Sequence, residues 1–150
     1  MLGGYNILFY MVLDLSSLEK SVQSLDRALA IATSSEVAAT LSCEHKEVLR
    51  AGVIQNFEFT YELCWKFMKR WLENNLGATY VDGVSRKDLF RLAAEQRLIE
   101  NIEGWMEYHY ARNLTAHTYN LDKAQEVFLS AQKFIRDAKL LLNRLIEKND

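Results

Sequence analysis

The sequence predicts an all-α fold, an up-and-down bundle of four to five helices. Three observations lead there. The 150 residues contain no proline and only six glycines, so nothing in most of the chain forces a helix to stop. Apolar residues recur three and four apart over long stretches. No segment alternates apolar and polar for long enough to read as a strand.

Each element follows from its own pattern. Ser16-Ser17-Leu18-Glu19 has the form of a capping box, and Leu18, Val22, Leu25 and Leu29 then repeat at helical spacing, which predicts a first helix over about 16–32. Residues 33–42, rich in Ser, Thr and Ala, read as a helix junction or a weak helical turn. From about Glu44 to Asn75 only Gly52 interrupts, and Phe57, Tyr61, Trp65, Met68 and Leu72 form one stripe on a long central helix. Asn74, Asn75 and Gly77 supply its stop, followed by a loop containing Asp82 and Gly83. Ser85 with Asp88 opens a shorter helix to about Arg97, with Leu89, Phe90, Leu92 and Ala93 on its apolar side. Leu98 and Ile99 bridge to a helix through Trp105 that weakens near Thr118. Asp122 is the expected cap of the last helix, which bears Ala124, Val127, Phe128, Ala131, Phe134, Ile135, Ala138, Leu141, Leu142 and Leu145 on its apolar face.

A chain of this length is the size of one domain, and residues 1–150 are read as a single helical unit. Residues 1–13 stand ahead of the first capping signal. They are either a docking extension or the product of a start upstream of Met11. The apolar run from Ile7 to Leu13 lacks a basic flank and a cleavage site and is far below membrane-spanning length, so neither a signal peptide nor membrane attachment is expected. Lys and Arg total 18 against 20 Asp and Glu, a net charge of -2. Whole-molecule attraction to nucleic acid is therefore absent, and any RNA contact must be local or shared with a partner. Cys43 and Cys64 have no CxxC companion and no His at metal spacing, which reads as reduced thiols in the cytoplasm.

Three constellations invite chemistry. Glu58 and Glu62 lie four apart on the long helix with Lys66 continuing the row. A di-iron bundle would need Glu-x-x-His on two helices, a spacing this chain lacks, so no metal is expected. The pair reads as a solvated face with an i,i+4 Glu62–Lys66 contact, or as acids orienting a cation from another helix. The aromatic stripe Phe57, Tyr61 and Trp65, with Trp71 and Trp105 elsewhere, reads as core and subunit contact rather than a base-stacking platform.

The third constellation, Glu107 to Asn120, is the densest polar and aromatic cluster. At about 100 degrees per residue, Asn113 and His117 share a helix face while Arg112 lies about 140 degrees from His117. A single straight helix cannot aim Arg112, Asn113, His117 and Tyr119 at one point. Either the helix breaks after about Ala116 or two chains compose the site. Taken singly, Arg112 reads as a surface ion pair, His117 as a helix-end residue and Tyr119 as a core edge. Taken together they suit cleavage of a phosphodiester without a metal. His117 moves a proton, Arg112 neutralises charge developing on phosphorus, and Asn113 orients either one. In RNA the 2′-hydroxyl is the internal nucleophile.

The segment Arg112-Asn113-Leu114-Thr115-Ala116-His117-Thr118-Tyr119 resembles the Arg-x-x-x-x-His-x-Tyr signature of HEPN proteins of the HepT type, also named nucleotidyltransferase substrate-binding proteins. Gln55-Asn56-Phe57-Glu58-Phe59-Thr60-Tyr61-Glu62-Leu63-Cys64-Trp65-Lys66 is similar to that family's long-helix segment, and the resemblance covers about residues 14–146. It implies a homodimer in which Arg112 and His117 of both protomers line one cleft, acting as a ribonuclease toxin without cofactor. It also implies a small nucleotidyltransferase encoded nearby, which forms a hetero-oligomer with the dimer and transfers AMP to Tyr119. Bulk and negative charge beside Arg112 would then block an RNA phosphate. The family commonly carries an acid just before the motif arginine, where this chain has Ala111. Glu107, about one turn earlier, is the expected substitute. Two other readings stay open: a non-catalytic subunit that presents a substrate to the transferase, and a plain helical oligomerisation module.

Overall fold

The computed structural model describes residues 12–149; the stretch ahead of Met11, the choice of start and most of the apolar run lie outside them. Seven helices and a 3-10 turn make up the described chain. They are α1 (Ser16–Ala32), α2 (Ser35–Thr40), α3 (Cys43–Leu76), α4 (Ala78–Val81), α5 (Arg86–Glu95), α6 (Ile102–Leu114), the turn Thr115–His117, and α7 (Leu121–Glu147). Five of these carry the bundle, as the periodicity predicts, and α2 and α4 are short turns in the connections. At about 1.5 Å per residue, the 34 residues of α3 make a rod of about 50 Å. It packs along α1 and α7 and also meets α5 and α6.

The helix ends show where local signals held and where they shifted. Ser85 accepts from the Asp88 N–H at 3.1 Å, as expected. Gly77 ends α3 at φ +96°, a backbone that a side chain would strain. The capping box at Ser16 does not form. Ser16 already lies inside α1, and Asp14 Oδ1 takes its N–H at 3.0 Å, one residue pair earlier than the motif suggests. Asp122 is likewise not the cap of α7. Asn120 accepts from the N–H groups of Asp122 and Lys123, leaving Asp122 in the first turn, where its charge favours the positive helix end.

The core is one contiguous cluster drawn from every element except α2 and the 3-10 turn. Phe134 of α7 is its hub. Its ring lies 5.2 Å from Phe57, 5.6 Å from Trp105 and 5.1 Å from Tyr108 between centroids, each close to edge-on, the geometry aromatic pairs prefer. Phe57, Tyr61, Met68 and Leu72 of the predicted stripe are buried, whereas Trp65 is half-buried and faces a different neighbour. The buried polar pair among the described residues joins α1 to α3, with Ser21 and Thr60 sharing a hydroxyl hydrogen bond of 2.5 Å. At the far end, Leu13 and Asn149 exchange two hydrogen bonds of 2.8 Å, tying the start of the described chain to the end of α7. No helix among the described residues is long and apolar enough to cross a membrane.

Candidate functional site

The end of α6 delivers Arg112 onto the middle of α3. Arg112 Nε donates to Glu62 Oε1 at 3.0 Å and Nη2 lies 3.3 Å from Glu58 Oε1. Nη1 reaches the Thr115 hydroxyl at 3.4 Å. Two carboxylates on one guanidinium hold it in a fixed plane, since each engages a different nitrogen. Glu62 is the more firmly held of the two. Its second oxygen accepts from the Trp65 indole at 3.0 Å, and the Trp65 ring is covered by the Arg86 guanidinium at 3.4 Å. Glu58 has Arg112 as its partner and is 41% exposed against 31% for Glu62.

Glu107 does not take the place of the missing acid. It stands five residues before Arg112, a rotation of about 140 degrees on the helix, and is exposed on another face of α6. The acids on Arg112 come from across the bundle instead. Nor does Glu62 spend itself on Lys66, whose ammonium lies 5.8 Å from the Trp65 ring. Among the described residues, no group of three or more His, Cys, Asp or Glu side chains could hold a metal ion.

The helix breaks two residues earlier than expected. Leu114 is its last α-helical residue, and Thr115 bonds back to the Arg112 carbonyl at 2.7 Å as the chain tightens into the 3-10 turn. His117 closes that turn, exposed, with its ring 6.1 Å from that of Tyr119 and nearly perpendicular. Tyr119 is 84% exposed, so it is not a core edge. Asn113 is exposed as well. Within the chain His117 and Tyr119 therefore meet, while no hydrogen bond or ring contact among the described residues joins either of them to Arg112. Tyr119 does share a groove with Glu58 and Thr115; its volume is about 460 Å³ and Arg50, Ile54, Gln55 and Leu121 also line it.

Behind Arg112 lies a half-buried polar group that the sequence analysis did not single out. His109 Nδ1 and the Tyr61 hydroxyl are 2.8 Å apart. Burial keeps the His109 pKa below its usual value of 6.5, and the nearby Arg86 and Arg112 add to the effect. Burial also pushes the Tyr61 hydroxyl well up, so the phenol stays protonated and donates to a neutral imidazole. Burial lowers the Arg86 pKa too, and its Nε has no hydrogen-bond partner. The single hint in the sequence was His109 itself, three residues before Arg112.

A pH dependence follows. A depressed His109 pKa means that the fold prefers the neutral ring, so its contribution to stability is full above the unfolded value near 6.5 and is lost as pH falls through the folded value. Between those two values the melting temperature should fall more steeply with acidification in the native chain than in His109→Asn, which keeps an acceptor but cannot titrate. Parallel melting curves would disprove the assignment.

Comparison with known proteins places this geometry. The family model for "Nucleotidyltransferase substrate binding protein like" matches residues 13–147. A Haemophilus influenzae protein described as a probable ribonuclease HepT is 36% identical over 105 residues, covering 69% of this chain and 72% of that protein. Among solved structures, one from Haemophilus influenzae, described as revealing the fold of a substrate binding domain of a nucleotidyltransferase, superposes with a TM-score of 0.84 at 30% identity. The match covers 89% of this chain and 99% of that one. A second, from Thermus thermophilus, gives 0.68 at 29% identity over 85% and 98% of the two chains. On sequence and fold together, this chain belongs to the nucleotidyltransferase substrate-binding family and is a HEPN protein of the HepT type.

Proposed function

We propose that the chain is a metal-independent ribonuclease toxin whose partner is a small nucleotidyltransferase. The observation that carries this reading is Arg112, clamped by Glu58 and Glu62 immediately before the break that presents His117 and Tyr119 to solvent. The relative described as a probable ribonuclease supports it. In the reaction, the RNA 2′-oxygen forms a bond to phosphorus as the bond to the 5′-oxygen breaks. One imidazole takes the 2′-hydroxyl proton and another gives a proton to the leaving oxygen. Arg112 stabilises the extra charge on the phosphoryl oxygens. The products are a 2′,3′-cyclic phosphate and a 5′-hydroxyl.

Two imidazoles and the separation of His117 from Arg112 both call for a homodimer whose protomers share one cleft. The transferase silences that cleft by binding the dimer and by transferring AMP from ATP. The Tyr119 hydroxyl oxygen attacks the α-phosphorus, loses its proton, and pyrophosphate leaves. The exposure of Tyr119 suits it to that attack. We place this action in the cytoplasm, on the reading of Cys43 and Cys64 as reduced thiols. The purified chain in excess chelator should leave cyclic phosphate ends on RNA. With the partner and labelled ATP, the native chain should take up label and Tyr119→Phe should not.

A second reading is a non-catalytic subunit that presents a substrate to the transferase. The description of the solved relative as a substrate binding domain favours it. Absence of cleavage by the dimer, with transferase activity that depends on this chain, would select it.

A further inference from the structure

Between the first half of α3 and the start of α7 lies the groove of about 460 Å³, within the roughly 300–1,000 Å³ of ordinary small-molecule sites. Three observations give its ligand a chemistry. Arg50 lines it half-buried, with no hydrogen bond or ion pair among the described residues. A guanidinium partly withdrawn from water is satisfied by an anion with oxygens in one plane, such as phosphate. On the same walls, the open Tyr119 ring stands with Ile54 and Leu121, an aromatic and apolar surface of the kind on which a base stacks.

Glu58 supplies the third observation, because it lines the groove and also pairs with Arg112. A phosphate entering there competes with Glu58 for Nη2, while Glu62 keeps its hold on Nε and the guanidinium stays aimed. The charges permit this. Arg112 pairs with Glu58, Arg50 and Glu47 balance in formal charge without pairing, and the groove borders the N-terminal, positive end of the 27-residue α7. Glu47 and Gln55 add acceptors suited to the amino group of a base, which inorganic phosphate would leave unused.

We infer that this groove binds a nucleoside monophosphate unit, with its phosphate drawn by Arg50 and Arg112 and its base against Tyr119. The unit is either one residue of an RNA strand or the adenylyl group carried on Tyr119, and only that attribution rests on the ribonuclease reading. The binding itself needs no cleavage, so a chain inactive on RNA that still binds AMP would end that reading and leave the site standing.

Calorimetric titration of the full chain with 5′-AMP tests it. AMP should bind, with adenosine and inorganic phosphate each at least about tenfold weaker, since each lacks half of the contacts. Arg50→Gln should weaken AMP about tenfold or more, Arg50→Lys less, and Glu58→Gln should strengthen it several-fold. Opposite signs from two variants on one groove would not come from misfolding. No AMP binding at millimolar concentration, or equal affinity in Arg50→Gln and the native chain, overturns the site. Competition by an RNA with a 2′-deoxy residue at the cut assigns the unit to RNA. Loss of AMP binding in the Tyr119-adenylylated chain assigns it to the tethered group. Binding that survives both also overturns the inference.

Discussion

His117→Ala is expected to reduce RNA cleavage by about a hundred- to ten-thousand-fold, the range for loss of a positioned proton-transfer group. The fold should not change with it. His117 is exposed, sits in a three-residue turn, and its ring has Tyr119 as its neighbour, so truncation opens no cavity. That separates a chemical loss from a structural one: the melting temperature should stay within a degree or two of the native chain, while the cyclic phosphate product disappears. Arg112→Ala should be as inactive, but by another route, since it also strands Glu58 and Glu62 beside one another without their cation. Because Arg112 and His117 make no contact in one protomer, the two inactive chains provide a further test. Mixed and refolded together, they form a dimer with one His117 and one Arg112. If one cleft draws on both protomers, that dimer should cleave faster than either variant alone but well below the native rate, since one of the two imidazoles is missing. Cleavage by pure His117→Ala at the native rate would remove His117 from the mechanism.

The bundle was legible because each helix writes its buried face into its own sequence. The Phe57, Tyr61, Trp65, Met68, Leu72 stripe and the Ala124 to Leu145 face needed no information beyond spacing, and both are buried except at Trp65, Phe128 and Ile135, which are half-buried at their margins. Caps were less legible because several candidates stand side by side. Asp14 competes with Ser16, and Asn120 with Asp122, and which one reaches the free N–H groups depends on the path by which the chain enters the helix. The carboxylates on Arg112 were legible only as an alternative. Glu58 and Glu62 are four apart, and that spacing fits a surface pair with Lys66 equally well, so choosing between them needs the crossing of α6 over α3. The same holds for Tyr61 with His109 and for Arg86 over Trp65, which join residues far apart in sequence. The break after Leu114 was visible in outline, as a conflict between one helix and four convergent side chains. Its true position depends on Thr115 turning its hydroxyl onto the Arg112 carbonyl.

Phe134→Ala should be among the most destabilising single truncations, at about 3–5 kcal/mol. Phe134 is fully buried and its ring meets Phe57, Tyr61, Trp105 and Tyr108. Those residues come from α3 and α6, so the cavity would open where three helices meet and could not be closed by moving one of them. Rigid rings fill such a space poorly, which places the cost in the upper part of that range. For a chain of this size the melting temperature should fall by roughly 10 °C or more. Phe59→Ala is the matched control, an aromatic on α3 that is 62% exposed, and it should change stability by no more than about 0.5 kcal/mol. Equal effects would mean that Phe134 is not the hub described. The truncation should also reach the site, since Tyr61 packs on Phe134 and holds His109 by its hydroxyl. A loosened Tyr61 lets water to the imidazole and relieves the burial that depresses its pKa. The steep loss of stability on acidification should then flatten in Phe134→Ala toward the profile of His109→Asn, a shift that a defect confined to the core would not produce.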